Sequence, residues 1–238
     1  MQTSINPVPT ILLVGASRGL GHAMAVEFVK RGWRVMGTVR AGSHGTRLHD
    51  LAAAHPDQVD IETLDITRPE QIAALRERLG RRRFDILFVN AGTTNPDPTQ
   101  TIGEVSTDDF VDLMITNALS PMRVVESLCG LVPTDGLIGI MSSGQGSIAD
   151  NESGQRELYR GSKAALNQFM RSFAARQATN TQRAMLLIAP GWVRTELGGP
   201  EGRLSIEESV PGVVDVLLAK RGRPGLEYRD YRGQTVRW

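Results

Sequence analysis

The sequence predicts an α/β fold built on a doubly wound parallel sheet with helices on both faces. Short apolar runs, each closed by Gly, Asn, Asp, Ser or Pro, alternate along the chain with amphipathic stretches of helical period. Within each run almost every residue is apolar, which is typical of strands buried on both faces of a parallel sheet. The alternation of strand and helix therefore indicates one sheet between two layers of helices.

Six segments are predicted to be strands and six to be helices. The strands are expected at residues 11–14, 34–39, 59–64, 86–89, 137–141 and 184–188. The helices are expected at residues 22–31, 46–54, 69–79, 107–128, 156–177 and 205–220. Pro69 suits the first turn of its helix, with Thr67 as the capping residue.

The chain of 238 residues is predicted to form one domain. An α/β fold of about 200 residues or more is often a single unit. The sequence contains no internal repeat, low-complexity block or linker, and the polar segment 93–101 is interpreted as a surface loop. We therefore expect a tail over residues 1–9 and a single domain over residues 10–238.

Composition and charge argue against several function classes. The net charge is +1, which gives no electrostatic reason to expect binding to nucleic acid or to an anionic membrane surface. The apolar runs are too short to span a bilayer. The single cysteine, Cys129, and four ungrouped histidines predict neither an intramolecular disulfide nor a metal site. Residues 1–9 do not resemble a signal peptide, so we expect a cytoplasmic protein.

The segment after the first predicted strand is rich in glycine and indicates a nucleotide site. It runs from Gly15 to Gly21 with the spacing G-x-x-x-G-x-G and leads into the first helix. Glycine allows a sharp turn and a close approach to pyrophosphate, and a helix amino terminus offers free N–H groups. The spacing differs from the usual G-x-G-x-x-G, so its position after a buried strand is what favours a nucleotide site over a plain turn.

Basic side chains near this loop favour NADP(H) over NAD(H). An acidic residue at the end of the second strand would bind the ribose hydroxyls of NAD, but Val39 occupies that place. Arg40 follows it, and Arg18 belongs to the glycine loop. Each guanidinium is suited to a 2′-phosphate, and although either arginine alone could be a solvated charge, the two flank the predicted site together.

Tyr159 and Lys163 are the candidate pair for proton transfer. They are four residues apart in a predicted helix and therefore share one face. A phenol has a pKa of about 10, and an ammonium group close to it stabilises the phenolate. We expect Lys163 to lower the pKa of Tyr159 toward the working range.

Further motifs follow in an order that identifies a family. Asn90-Ala91-Gly92 comes after the fourth strand, Ser142-Ser143 after the fifth and Pro190-Gly191 after the sixth. With the glycine loop and the Tyr159/Lys163 pair, these motifs resemble the short-chain dehydrogenase/reductase family over essentially the whole chain. The resemblance implies a Rossmann fold that binds NADP(H).

Within this family the chain is similar to the C-factor and sniffer-like carbonyl reductases. The residues that carry the narrower resemblance are the stretch YRGSKAALN at 159–167, the stretch PGWVRTELGG at 190–199 and Trp238.

The resemblance implies catalytic roles for four residues. Tyr159 would be the general acid that protonates the carbonyl oxygen, and Lys163 would lower its pKa and bind the nicotinamide ribose. Ser143 would hold the substrate oxygen. Asn117 would anchor a water molecule that links Lys163 to solvent.

The resemblance also implies the cofactor contacts. Asp65 and Ile66 would contact adenine, Gly92 would allow close approach of the ribose, and Thr195 would bind the carboxamide. The complete implied set is Gly15, Ser17, Arg18, Gly19, Leu20, Gly21, Arg40, Asp65, Ile66, Asn90, Ala91, Gly92, Tyr159, Lys163, Pro190, Gly191, Val193 and Thr195.

The chain departs from the family pattern in two places. Val14 stands where a threonine commonly precedes the first glycine, which removes a local turn hydrogen bond but not nucleotide binding. More residues separate Ser143 from Tyr159 than in many relatives, and the extra length falls in the polar segment 144–157. Ser142 therefore stays an alternative to Ser143, which we prefer as the second serine after the strand.

Together these expectations describe an NADP(H)-dependent oxidoreductase that reduces an aldehyde or ketone to an alcohol, or catalyses the reverse reaction. The alternative is a signalling or regulatory protein that binds NADP with little or no turnover, but such a role needs no acid. A nucleotide-sugar epimerase or dehydratase would need a larger substrate domain. The expected partner is a small carbonyl or alcohol substrate, bound among the loops 93–101, 144–157 and 198–209. Relatives commonly pair through their two long helices, so a homodimer or homotetramer is also expected.

Overall fold

The computed structural model describes residues 8–177 and 183–238 of the chain. All six predicted strands are present, and a seventh follows close to the end of the sequence. The strands are β1 (Thr10–Val14), β2 (Arg34–Val39), β3 (Val59–Thr63), β4 (Ile86–Val89), β5 (Leu137–Met141), β6 (Ala184–Ala189) and β7 (Gly225–Asp230). The helices are α1 (Gly19–Lys30), α2 (Arg47–Ala54), α3 (Pro69–Leu79), α4 (Thr107–Met114), α5 (Ser120–Leu128), α6 (Glu157–Gln177) and α7 (Ile206–Lys220).

The strands form one parallel sheet in the order β3-β2-β1-β4-β5-β6-β7. β1 lies in the interior of the sheet next to the central strand β4, and Leu12 is opposite both Met36 of β2 and Leu87 of β4. The strand order reverses between β1 and β4, and a crevice forms beside this point at the carboxyl ends of the strands. The predicted doubly wound Rossmann fold is confirmed.

Two apolar clusters form the core, one on each face of the sheet. Along β1 the side chains alternate, so that Leu12 and Val14 join one cluster while Ile11 and Leu13 join the other. Helices α3, α5 and α6 cover the first cluster, and α1, α2 and α7 cover the second. Burial on both faces explains why the strands are almost continuously hydrophobic.

The helix predicted over residues 107–128 is interrupted. A π-helical segment, Ile115–Leu119, separates α4 from α5 and contains Asn117. A π turn holds one residue more than an α turn, and such segments occur frequently at functional sites. The prediction of one continuous helix was wrong because the apolar pattern runs through this point without a break.

Two further expectations need correction. α3 begins at Pro69 as predicted, but its N-cap residue is Arg68, and Thr67 donates its hydroxyl hydrogen to Asp65 instead. The strand β7 was not predicted, because its sequence GLEYRD is polar. It is an edge strand in which only Tyr228 is buried, and charged side chains are typical of such edges.

The predicted tail of residues 1–9 falls mostly outside the described residues, so the domain boundary at residue 10 stays a prediction. Within residues 8–177 and 183–238, no helix is both long and apolar enough to cross a membrane. The same residues contain no group of three or more His, Cys, Asp or Glu side chains that could hold a metal ion.

Candidate active site

A cavity of about 1160 Å³ opens at the carboxyl ends of the central strands. Its wall contains the loops after β1, β2, β3, β4, β5 and β6, together with Tyr159 and Lys163 of α6. All the site residues predicted from the sequence line this cavity except Gly21 and Asn117, which contact residues of its wall. Ligands bind at this position in doubly wound sheets.

The glycine loop follows a path that excludes side chains. Gly15 has a φ of 86°, and a Cβ there would lie 2.8 Å from the main-chain nitrogen of Ala91. A Cβ on Gly21 would lie 2.0 Å from the carbonyl oxygen of Gly15. Asn90 Nδ2 donates to that same oxygen at 2.8 Å, which ties the loop to the end of β4. The two glycines are therefore required by close approach of the backbone.

Thr38 of β2 holds the start of the glycine loop, next to Val14, by two hydrogen bonds. The Gly15 N–H donates to Thr38 Oγ1 at 2.9 Å, and the Ala16 N–H donates to the Thr38 carbonyl oxygen at 2.9 Å. Because Thr38 is buried, these bonds fix the start of the loop. Sequence reasoning did not find this residue, since it is distant from the loop along the chain.

The amino terminus of α1 faces the cavity. Its N-cap residue is Arg18, whose side chain does not cap the helix, and none of the residues in the first turn is acidic. A Cβ on Gly19 would meet none of the described atoms within 4 Å, so open space lies beside the first turn. Free N–H groups and the positive end of the helix dipole suit this space to a pyrophosphate.

Three exposed arginines line the cavity near its nucleotide end: Arg18, Arg40 and Arg47. Arg18 forms an ion pair with Glu196 at 2.8 Å, which crosses from the glycine loop to the segment after β6. Arg47 was not predicted as a site residue. It is the first residue of α2, the helix that follows Arg40. A positive charge at that position could have indicated a phosphate contact.

Asp65 lies beside Ile66 in the wall of the cavity. Its partial burial raises its pKa, but hydrogen bonds from Thr67 and the charges of Arg40 and Arg68 outweigh burial and hold the pKa below its usual value. The Thr67 N–H and hydroxyl both donate to Asp65 Oδ1, at 2.9 and 2.7 Å. The carboxylate is therefore ionised and oriented by the turn at neutral pH.

Tyr159 and Lys163 lie one turn apart on α6, and both are buried against the cavity. Lys163 Nζ lies 5.9 Å from the centre of the Tyr159 ring and donates to the Met141 carbonyl oxygen at 3.0 Å. Desolvation by burial lowers the pKa of Lys163 to about 8. The ammonium group therefore loses its proton close to physiological pH.

The predicted lowering of the Tyr159 pKa by Lys163 is corrected by the structure. Burial raises the pKa of Tyr159 above its ordinary value, because a phenolate is poorly solvated there. The neighbours that oppose this rise are the Ser143 side chain, through a hydrogen bond, and the charge of Arg156. At neutral pH the phenol is therefore protonated and is a donor.

Arg156 is a site residue that sequence reasoning missed. It directly precedes α6 and has a φ of 60°, which side chains rarely adopt. Its guanidinium lies 5.9 Å from the centre of the Tyr159 ring. Unusual backbone conformations of this kind cluster at functional sites. The sequence carries no signal for them in a residue other than glycine or asparagine.

The two serines after β5 have different partners. Ser142 is buried and donates to Asn167 Oδ1 at 2.6 Å. Ser143 lines the cavity, its side chain opposes the rise in the pKa of Tyr159, and its Oγ accepts from the Gln145 N–H at 3.1 Å. Of the two alternatives, Ser143 is thus the one that meets the phenol.

Asn117 is fully buried in the π-helical segment and bonded on three sides. Its Oδ1 accepts from the Thr93 N–H at 2.8 Å, while Nδ2 donates to the Thr93 carbonyl oxygen at 2.9 Å and to Ser162 Oγ at 3.1 Å. A Cβ on Gly92 would lie 3.3 Å from Asn117 Oδ1 and 3.5 Å from Lys163 Nζ. These side chains therefore converge beside Gly92, and the water relay stays a prediction.

The segment after β6 lines the opposite wall with Pro190, Gly191, Val193 and Thr195. The Thr195 hydroxyl accepts from the Gly198 N–H at 3.0 Å and donates to the Val193 carbonyl oxygen at 3.4 Å. These bonds shape a tight turn. The predicted contact of Thr195 with a carboxamide stays a prediction.

Comparison with known proteins agrees with this arrangement. The family model for short chain dehydrogenase matches residues 9–203. A short-chain dehydrogenase/reductase from Burkholderia multivorans, solved with bound NADP, is 84% identical, with 98% of this chain and 100% of that chain covered and a TM-score of 0.96. A carbonyl reductase from Pseudomonas aeruginosa PAO1, solved with NADP, is 35% identical with 97% and 100% coverage and a TM-score of 0.88. The C-signal protein of Myxococcus xanthus is 32% identical over 65% of this chain and 92% of its own length.

Proposed function

The chain belongs to the short-chain dehydrogenase/reductase family of oxidoreductases, and from this we propose that it is an NADP(H)-dependent carbonyl reductase with Tyr159 as its general acid. The relative solved with NADP and the carbonyl reductase support the cofactor and the reaction class. The observation that carries the residue assignment is the buried phenol of Tyr159, which lines the cavity together with Ser143 and lies one helical turn from Lys163.

The cavity fits NADP(H) at its nucleotide end. The open space beside Gly19 would receive the pyrophosphate at the amino terminus of α1. Arg18, Arg40 and Arg47 would hold the 2′-phosphate, since planar guanidinium groups bind phosphate with paired hydrogen bonds. Arg18 would have to exchange its ion pair with Glu196 for this contact.

The chemistry divides between cofactor and protein. The cofactor supplies a hydride from its nicotinamide ring. Tyr159 donates a proton to the carbonyl oxygen of the substrate, and the Ser143 hydroxyl donates a hydrogen bond to that oxygen as negative charge develops on it. In the reverse direction the Tyr159 phenolate accepts the proton of the alcohol.

Lys163 is placed to return a proton to Tyr159 after turnover. Its pKa of about 8 allows exchange near neutral pH. Asn117 Oδ1 and Lys163 Nζ both approach Gly92, so a relay from Lys163 toward Asn117 is short. Both side chains are buried, so the relay would have to bring the proton in from solvent along this path.

A carbonyl panel tests the proposed function. Purified protein is mixed with NADPH and a set of aldehydes and ketones, while NADPH absorbance and alcohol formation are followed together. We expect turnover of at least one carbonyl class, and no NADPH oxidation when the carbonyl is omitted. Tight NADPH binding with turnover of no carbonyl, and of no alcohol with NADP⁺, would contradict the proposal.

A protein that binds NADP without turnover is the less favoured alternative. The C-signal protein is a relative, but its similarity covers 65% of this chain. A role in binding alone gives no reason to bury the ionisable amine of Lys163 beside the phenol of Tyr159, because burial of a charged group costs stability.

We further propose that the chain forms a homodimer or homotetramer through α4, α5 and α6. Large apolar side chains are exposed on or beside these helices, namely Phe110 (44%), Val111 (43%), Leu119 (40%) and Phe169 (43%). Exposed apolar side chains mark an interaction surface where they form one contiguous patch. Light scattering of the purified protein should give a dimer or tetramer that Phe169→Glu dissociates, and a wild-type monomer would contradict this. The cytoplasmic location stays a prediction.

A further inference from the structure

The last residues of the sequence fold back toward the catalytic end of the cavity. After β7 the chain turns, the Val236 N–H donates to the Tyr228 carbonyl oxygen at 3.0 Å, and Arg229 forms a β-bridge with Thr235. Residues 236–238 therefore run beside β7. This path brings them to the polar segment 144–157, which was expected to cover the substrate.

Residues 237 and 238 hold this segment by two contacts. Arg237 Nε donates to Asp150 Oδ1 at 2.6 Å, and the Ala149 N–H donates to the Trp238 carbonyl oxygen at 3.1 Å. The Asp150 N–H in turn donates to Ser147 Oγ at 3.0 Å. The segment is thus fastened through both side chain and main chain.

The Trp238 ring anchors the end of the sequence. It packs against Tyr228 with the ring centres 5.5 Å apart, and the Arg171 guanidinium of α6 lies 4.7 Å from its centre on a cation–π contact. A ring held between a strand and a helix gives Arg237 and Trp238 a fixed position. Without it, Arg237 and Trp238 would be held only by their hydrogen bonds to residues 150 and 149.

Tyr228 connects this anchor to the serine beside the catalytic phenol. Its hydroxyl donates to the carbonyl oxygen of Ser143, and the side chains of Asn167 and Ser142 oppose the rise in its pKa that burial causes. Asn167 Nδ2 donates to the Gly146 carbonyl oxygen at 3.2 Å. The main chain is therefore fixed at Ser143 and again at Gly146.

We infer that residues 236–238 are a clasp that, through Tyr228, sets Ser143 against Tyr159 and, by holding residues 149 and 150, fixes the preceding Gly144 and Gln145 in the cavity wall. Tyr228, Arg237 and Trp238 do not line the cavity, so among the described residues they are positioning residues rather than catalytic ones. The inference rests on the proposed function, because it assigns the clasp to orientation of the carbonyl. We expect the clasp to have no effect on the nucleotide end of the cavity.

The first test is Tyr228→Phe, which keeps the ring against Trp238 and removes only the hydroxyl. We expect kcat to fall about tenfold, short of the roughly hundredfold that a misplacement of about 1 Å can cost. The dissociation constant for NADPH should stay within about twofold of wild type, since the nucleotide end is separate. Arg78→Ala, which removes an exposed ion pair to Glu62 at the far edge of the sheet, is the matched control and should match wild type.

The second test is the double variant Arg237→Ala/Trp238→Ala. We expect KM for the carbonyl to rise about fivefold and amide hydrogen exchange in residues 144–157 to become about tenfold faster, as in a loosely held loop. Trp238→Phe alone retains an aromatic ring against Tyr228 and should restore both values to near wild type. Hydrogen exchange needs no turnover, so it decides the clasp even if no carbonyl substrate is found.

The outcomes separate the two proposals. An inactive wild-type protein with slow exchange in residues 144–157 that the double variant accelerates would overturn the carbonyl reductase and support the clasp. An active wild-type protein whose double variant has unchanged KM and exchange would overturn the clasp alone. Loss of NADPH affinity in step with kcat would also overturn it, because that result indicates general loss of structure.

Discussion

The nucleotide end and the catalytic end of the cavity are built in opposite ways. At the nucleotide end, the main chain of the glycine loop provides shape, and the exposed side chains of Arg18, Arg40 and Arg47 provide charge. At the catalytic end, Tyr159 and Lys163 are buried, and Lys163 donates a hydrogen bond to the Met141 carbonyl oxygen. Exposed charges act singly and are screened by water, whereas buried polar groups depend on one another. Single substitutions in the first region should therefore change cofactor affinity by small, independent amounts. A single substitution in the second region should disable catalysis, because its groups depend on one another.

The substitution with the largest expected effect is Lys163→Ala, at the catalytic end. We expect kcat at saturating NADPH to fall about 10³-fold, because proton transfer by positioned groups contributes about 10²- to 10⁴-fold. Lys30→Ala, at an exposed position of α1, is the control and should leave kcat unchanged. If Lys163→Ala kept kcat within about twofold of wild type, the catalytic end would not act as a unit.

Asn117→Ala tests the same interdependence through stability. The variant leaves the Thr93 main-chain groups and Ser162 without their partners, so the free energy of unfolding should fall by about 2 kcal/mol. Urea denaturation measures the change, and Gln168→Ala on the exposed face of α6 should change it by less than about 0.5 kcal/mol. Equal effects of the two variants would contradict the buried network.

The pH dependence of stability sharpens the comparison, because Lys163 is the buried cation of the catalytic end. Its pKa is about 8 in the folded chain and 10.5 as the ordinary value, so between these pH values the unfolded chain binds more protons. The destabilisation by Lys163 is complete below pH 8 and diminishes as pH rises. From about pH 8 to about pH 9.5, wild type should gain about 2 kcal/mol relative to Lys163→Met in urea denaturation. A constant difference between the two proteins would contradict the burial of a charged amine.

Arg40→Ala should have the smallest of these effects, and at the nucleotide end only. We expect the dissociation constant for NADPH to rise about tenfold, the value of one charge-assisted hydrogen bond, and that for NADH to stay unchanged. Arg82→Ala, at an exposed arginine near the opposite end of β4, should change neither. Equal loss of NADPH and NADH affinity would show that Arg40 does not read the 2′-phosphate, and a fall in kcat would break the separation of the two ends.

The same contrast explains which features could be predicted from the sequence. The glycine loop is a contiguous segment whose shape requires glycine, so Gly15 and Gly21 were predictable from local rules. The four-residue spacing of Tyr159 and Lys163 is also local. Thr38 was not predictable, because its bond to Gly15 depends on the pairing of β1 with β2 rather than on neighbours in the chain.

Features of the catalytic end that depend on tertiary contacts escaped sequence reasoning. The π-helical turn at Asn117 interrupts an amphipathic pattern that continues on both sides of it, and the left-handed Arg156 has no compositional signal. Tyr228 lies in the edge strand β7, which was not predicted because its sequence is polar. The direction of the Tyr159 pKa depends on how deeply the phenol is buried, which the spacing to Lys163 does not reveal.

The central claim is that Tyr159 is the acid that protonates a carbonyl in an NADPH-dependent reduction. The most direct measurement compares kcat of wild type and Tyr159→Phe on a substrate found in the carbonyl panel, with NADPH affinity measured in parallel. We predict that kcat falls at least about 10³-fold while the dissociation constant for NADPH stays within a few-fold of wild type. Equal kcat in the two proteins would contradict the account.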